Sequence, residues 1–197
     1  MPDFIYLASQ SPRRSQLLTQ LGVRHQLLLA DAQEDAEALE SVLGNESPKA
    51  YVQRVTMLKL GAALERRIKR DLPAAPVLCA DTTVALGREI LGKPVDADDA
   101  VRMLTALSGK THRVMTAVAL GLGAKKILTL SESLVTFAEM SHAEILAYVA
   151  SGEPMGKAGA YAVQGAAAAY IARISGSYTG IVGLPLFETA RLLKTVS

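Results

Sequence analysis

Tryptophan is absent from this 197-residue chain, cysteine occurs once, and the charges nearly cancel. Each scarcity excludes something. Cys79 alone cannot form an intrachain disulfide, so no disulfide framework holds the fold, and a reducing compartment is the simplest expectation. With 21 basic and 19 acidic residues the net charge is only +2. That balance does not point to a strongly basic face for duplex nucleic acid, and no nucleic-acid partner is expected. The longest apolar run, Val114–Ala124, falls short of the roughly 20 residues a membrane span needs. It also contains Thr116, Gly121 and Gly123, and it fits a buried strand. Met1-Pro2-Asp3 does not open a basic, then apolar, leader, so no signal peptide is expected and the cytoplasm is the expected location. His25, His112 and His142 are scattered without zinc-like spacing. There is no P-loop, no complete dinucleotide fingerprint after Gly121-Leu122-Gly123, and no serine in a nucleophile elbow.

Half of the residues are hydrophobic, enough for a sizeable core in one domain, with or without two lobes. Strand-like and helix-like runs alternate, which predicts an α/β fold. Phe4–Ala8 is a first strand. Ser11-Pro12 opens a helix that ends at Gly22. His25–Leu29 is a second strand, and the acidic stretch from Asp31 to Asn45 is a loop. Ser47-Pro48 opens a long helix to about Arg70. Val77–Ala80 is a short buried strand ending at Asp81, and Thr83–Leu86 with Glu89–Leu91 form a hairpin. Asp96 caps a helix to about Leu107. Thr111–Leu122 and Lys125–Phe137 pair as long strands. Ser141 and Glu144 form a capping box for a helix to about Ala150. One or two strands are expected within Tyr161–Ile174, and a last helix from Pro185 to about Val196.

Several residues could carry chemistry. Arg13 and Arg14 follow a strand and sit at a helix N-terminus, where free N–H groups and the helix dipole favour an anion. Guanidinium groups grip phosphate oxygens two at a time. The same pattern also fits a capped surface helix with solvated arginines. Lys59 interrupts an apolar stripe of Val52, Val55, Ala62 and Ala63, so it must snorkel, pair or meet a ligand. Asp81 follows a buried strand, where ligands gather in open α/β sheets. A carboxylate there can bind Mg²⁺ or take a proton from water; it can equally be a turn aspartate. One acid among Asp31, Glu34, Asp35 and Glu37 could complete a metal site with Asp81, and spacing does not say which. Lys93 stands on the tight turn Gly92-Lys93-Pro94. Gln164, in the glycine-rich stretch from Lys157 to Gly165, offers a donor and an acceptor suited to a base edge, though a simple turn fits as well.

As an ordered set these pieces resemble the Maf family of nucleotide pyrophosphatases. The resemblance runs from Leu7 to about Leu193 and is carried by Leu7-Ala8-Ser9, Ser11-Pro12-Arg13-Arg14, Ala80-Asp81-Thr82, Gly92-Lys93-Pro94, Leu107-Ser108-Gly109, Lys157-Ala158-Gly159-Ala160-Tyr161, Gln164-Gly165 and Val182-Gly183-Leu184-Pro185. It implies a two-lobed α/β fold with a central mixed, twisted sheet flanked by helices and a deep cleft. It implies hydrolysis of a nucleoside triphosphate between the α- and β-phosphates, aided by a divalent cation, Mg²⁺ or Mn²⁺. Asp81 matches the proposed general base, and Ser9, Arg13, Arg14, Lys59 and Lys93 match phosphate-contacting positions. Glu34 matches a second acid that helps to hold the metal. Arg13, Thr82 and Gln164 match the subgroup acting on dTTP and UTP, rather than the one acting on 7-methyl-GTP. The 7-methylated guanine base is cationic and suits a carboxylate and an aromatic face, not a glutamine. Gln10, Gln33 and Ala166 to Ala169 depart from the usual pattern. The resemblance also implies a homodimer and a role in clearing modified pyrimidine triphosphates. The alternatives are a 7-methyl-GTP or broad purine pyrophosphatase, a nucleotide-binding regulator of cell division, and an α/β domain without a small-molecule site.

Overall fold

A computed structural model of the chain describes residues 3–31, 34 and 38–196. The expectations about Gln33, Asp35 and Glu37 lie outside the described residues. The elements follow the capping signals, except that Ser11 precedes its helix without a side-chain cap hydrogen bond. Helix α1 (Pro12–Gln20) starts with proline in its first turn, where the missing N–H costs nothing. Helix α2 (Pro48–Lys69) is capped by Ser47, whose side chain accepts from the Ala50 N–H. Asp96 caps α3 (Ala97–Leu107) in the same way. Ser141 and Glu144 form the complete capping box of α4 (His142–Ala150). Two short helices close the chain, α5 (Tyr178–Val182) and α6 (Leu186–Leu193).

The strands are β1 (Ile5–Leu7), β2 (His25–Leu27), β3 (Val77–Leu86), β4 (Glu89–Leu91), β5 (Thr111–Leu122), β6 (Lys125–Phe137) and β7 (Ile171–Ser175). They form one mixed sheet in the order β2-β1-β3-β5-β6-β7, with β4 paired to β3. Two expectations need correction. The 77–80 and 83–86 segments are one continuous strand, so Asp81 and Thr82 lie in its middle rather than beyond its end. Partner strand β5 follows β3 from Val77 opposite Gly121 to Ala85 opposite Arg113, and this unbroken ladder carries the backbone through the polar residues. Within the 161–174 stretch only the last residues are a strand. Ala166–Tyr170 instead forms a 3₁₀ turn, consistent with the run of alanines lacking β-branched side chains.

Side chains alternate across β3. Val77, Cys79 and Ala85 pack on the face covered by α2, against Leu60, Ala63, Val52 and Val55. Leu78, Ala80 and Val84 pack on the other face, under α1 and α6 at one end and α3 and α4 at the other. Cys79 is buried and free, and burial pushes its thiol up to about 12. Among the described residues no helix is long and apolar enough to cross a membrane.

One glycine fixes how the segment after α4 sits on the sheet. Gly159 has φ 70°, and a Cβ there would come within 2.8 Å of Val84 Cγ1. Its N–H donates to the Gly92 carbonyl at 3.0 Å. Gly159→Ala is therefore expected to lower unfolding stability by about 1–3 kcal/mol, through backbone strain and overpacking together. Urea titration of both proteins checks this; equal midpoints would contradict it.

Candidate active site

The far edge of β3 is covered only at its ends. There β1 pairs with Val77 and Leu78, and β4 pairs with Val84, Ala85 and Leu86. Between them the edge is open at Ala80 to Thr83, and a cleft of about 1130 Å³ opens over it. Asp81 and Thr82 are adjacent on this edge and point to opposite faces, so a ligand at the gap can meet both.

On the α2 face, Lys59 reaches Asp81. Its ammonium donates to Asp81 Oδ1 at 2.5 Å and to Glu40 Oε1 at 2.8 Å. Glu40 Oε2 in turn lies 3.5 Å from the Lys93 ammonium. The result is a line of alternating charge, Asp81–Lys59–Glu40–Lys93. The Asp81 and Lys59 side chains are only 13 % and 20 % exposed, so the pairing is shielded from water. Burial works against charge on Lys59, but Asp81 and Glu40 outweigh it and raise its pKa above the usual value. Burial likewise opposes charge on Glu40, yet Lys59 and Lys93 hold its pKa below the usual carboxylate range.

On the opposite face Arg14 organises neutral oxygens. Nε donates to the Gly183 carbonyl at 2.9 Å, Nη1 to Ser9 Oγ at 3.2 Å and Nη2 to Thr82 Oγ1 at 3.4 Å. Thr116 Oγ1 donates to the Gly180 carbonyl at 2.7 Å. It must therefore accept from the Thr82 hydroxyl 2.9 Å away, because each hydroxyl has one proton. The run Arg14 to Thr82 to Thr116 to Gly180 is thus directional, and it binds α1, β3, β5 and α5 together. Burial lowers the Arg14 pKa, opposed by the charge of Asp81. Arg13 also lines the cleft and makes no ion pair among the described residues. Lys157 lines it too, with its ammonium held by the Glu153 carbonyl. Burial and then Arg13 lower the Lys157 pKa, as expected where cations crowd together.

All nine residues singled out from sequence line this one cleft: Ser9, Arg13, Arg14, Glu34, Lys59, Asp81, Thr82, Lys93 and Gln164. They are not equivalent within it. Glu34 is turned to Arg66, which donates to both of its oxygens, with Nη2 at 2.5 Å from Oε2. Glu40, not Glu34, shares the Lys59 ammonium with Asp81. Glu40 carries no sequence signal, since it sits in an acidic stretch without periodicity. What places it is tertiary: the Tyr51 hydroxyl on α2 donates to the Glu40 carbonyl at 2.8 Å. Lys157 also escaped notice as a cleft cation.

The fold and cleft define an α/β protein with clustered cations around an aspartate on an open sheet edge. The Maf-like protein model matches residues 4–196, and the chain belongs to the Maf family. It is 70 % identical to a dTTP/UTP pyrophosphatase of Albidiferax ferrireducens, over 99 % of this chain and 98 % of that protein. Proteins of the same name from Polaromonas sp. and Cupriavidus metallidurans are 67 % and 62 % identical. They cover 98 % of this chain, with 95 % and 97 % of their own lengths matched.

The Glu34–Arg66 pair has a definite pH signature. Hydrogen bonds from Arg66 pull the Glu34 carboxyl from 4.5 down to about 2. A carboxyl depressed in the folded state adds stability above its unfolded value, and that stability is lost as pH falls towards the folded value. The stability gap between wild type and Glu34→Gln is therefore expected to be full above about pH 4.5 and to close towards pH 2. The gap stays modest because Glu34 is a third exposed and water screens the pair. Denaturant melts at pH 7, 4 and 2.5 check it; a gap that widens in acid would contradict the pairing.

Proposed function

We propose that this chain hydrolyses dTTP and UTP to the monophosphate and pyrophosphate, as the names of its relatives state for them. The observation that carries the reading is the open edge of β3, where one cleft joins Asp81 and two lysines to an exposed glutamine. A triphosphate exchanges Glu40 for its own oxygens at Lys59 and Lys93. Arg13 adds bidentate contacts, and Arg14 keeps Ser9 and Thr82 in place on the far face. Gln164 reads the amide edge of the pyrimidine with one donor and one acceptor.

Asp81 orients a water and takes its proton as the water attacks the α-phosphorus. The bond from that phosphorus to the oxygen bridging the β-phosphate breaks. Pyrophosphate leaves with its charge already met by the lysines, so positioning and electrostatics supply most of the catalysis. The donor set also suits a hard cation. Mg²⁺ takes one or two carboxylates with substrate phosphates and waters. Among the described residues no cluster of three or more metal-binding side chains is preassembled, which leaves the phosphates to complete such a site. Asp81 would hold the cation with an acid of the 34–40 segment. Glu34 must leave Arg66, or Glu40 must leave Lys59, to join it. When bound, Mg²⁺ or Mn²⁺ would neutralise phosphate charge and polarise the α-phosphorus. The cytoplasm is the proposed compartment, in keeping with the buried free thiol of Cys79.

A panel of nucleoside triphosphates assayed for pyrophosphate release, with and without Mn²⁺, tests substrate and metal together. The reading expects dTTP and UTP to be cleaved fastest; preference for a purine or for 7-methyl-GTP would overturn it. In oxygen-18 water the label should enter the monophosphate, and label in pyrophosphate would reject attack at the α-phosphorus. Asp81→Asn is expected to lower kcat by about 10²-fold or more, the loss typical of a general base. Near wild-type turnover would remove Asp81 from the mechanism.

A further inference from the structure

Gln164 owes its position to residues that lie behind it. Its side chain is exposed to the cleft and has no hydrogen-bond partner among the described residues. The backbone around it is tied on both sides. The Ala162 N–H donates to the Tyr148 hydroxyl at 3.3 Å, and that hydroxyl donates to Glu153 Oε1 at 2.7 Å. Glu153 Oε2 accepts from the Ala166 N–H at 3.1 Å. One carboxylate therefore closes a clamp over residues 162–166, with Gln164 at its apex. Gly165 completes the fit: any Cβ there would overlap the Glu153 carboxylate. At the root of the segment, the Tyr161 hydroxyl meets His112 Nε2 at 2.8 Å and its ring stands edge-on to Phe137.

We propose that Glu153 and Tyr148 are positioning residues for base recognition, a clamp that aims Gln164 into the cleft without touching substrate. The inference rests on the pyrimidine-reading role given to Gln164 above. The carboxylate of the clamp belongs to base selection and not to phosphate binding: Lys59 pairs with Asp81 and Glu40, Lys93 with Glu40, and Lys157 is held by the main-chain carbonyl of Glu153, which the clamp variants leave in place. It also gives Gly165 a reason beyond turn geometry. A backbone with no Cβ is what lets the acid sit against the recognition loop.

The test compares Glu153→Gln, Tyr148→Phe and Gln164→Ala, and pairs each clamp variant with Gln164→Ala. Preference is measured as kcat/KM for UTP over GTP, and inorganic tripolyphosphate serves as a competitive inhibitor that carries no base. Each clamp variant should lose about tenfold in preference, chiefly through the KM for UTP, as expected for one misplaced hydrogen-bonding group. Tripolyphosphate inhibition should stay unchanged. On the Gln164→Ala background the clamp variants should cost no further preference, since they act through that side chain. Circular dichroism and melting of each variant separate this from unfolding, and Tyr148→Phe, which removes one oxygen, keeps the test open if Glu153→Gln folds poorly. Unchanged preference in a folded clamp variant overturns the inference. So does an equal loss for tripolyphosphate, or full additivity with Gln164→Ala. If wild type shows no base preference at all, it is the role of Gln164 that fails, and the two failures are thereby distinct.

Discussion

The site depends on an asymmetry in one strand. β3 is paired to β5 from Val77 to Ala85, but on its other side β1 and β4 cover only the two ends. The continuous ladder keeps the strand extended where the sequence turns polar. The gap leaves Asp81 and Thr82 at the edge of a cleft instead of under a neighbouring strand. Because successive residues face opposite sides, the gap brings two separate networks to one place. A charged line lies on the α2 side and a chain of neutral hydrogen bonds lies on the other.

The two networks do different physical work. Arg14 is a half-buried cation whose acceptors are a carbonyl and two hydroxyls, which makes it a tie between elements. Lys59 sits between two carboxylates and so stays charged despite burial. Such a line of charges is poor evidence for stability, since desolvation offsets much of the attraction. It is better understood as an arrangement that a polyanion can enter. On the proposed reading, phosphate oxygens take the place of Glu40 between the two ammonium groups it bridges.

Much of this was legible in the residues. Ser47-Pro48, Asp96 and the Ser141/Glu144 box mark helix starts by local hydrogen bonding, and the structure follows them. Lys59 announced itself as a cation in an apolar stripe. What local pattern could not show is tertiary. Asp81-Thr82-Thr83 looks like the end of a strand until β5 is known to run beside it. Glu40 is one acid among several until Tyr51 and Lys59 hold it. Glu34 matches a family position, yet nothing in the chain order reveals its partner Arg66, which lies a full helix away.

The central claim is that one triphosphate spans this cleft with its phosphates at the lysines and its base at Gln164. A crystal structure with the non-hydrolysable α,β-imido analogue of dUTP tests it most directly. The account predicts phosphate oxygens within hydrogen-bond reach of Lys59 and Lys93, Glu40 displaced from both, and the uracil edge on Gln164. An analogue bound with its base among the lysines, or outside the gap between β1 and β4, would contradict it.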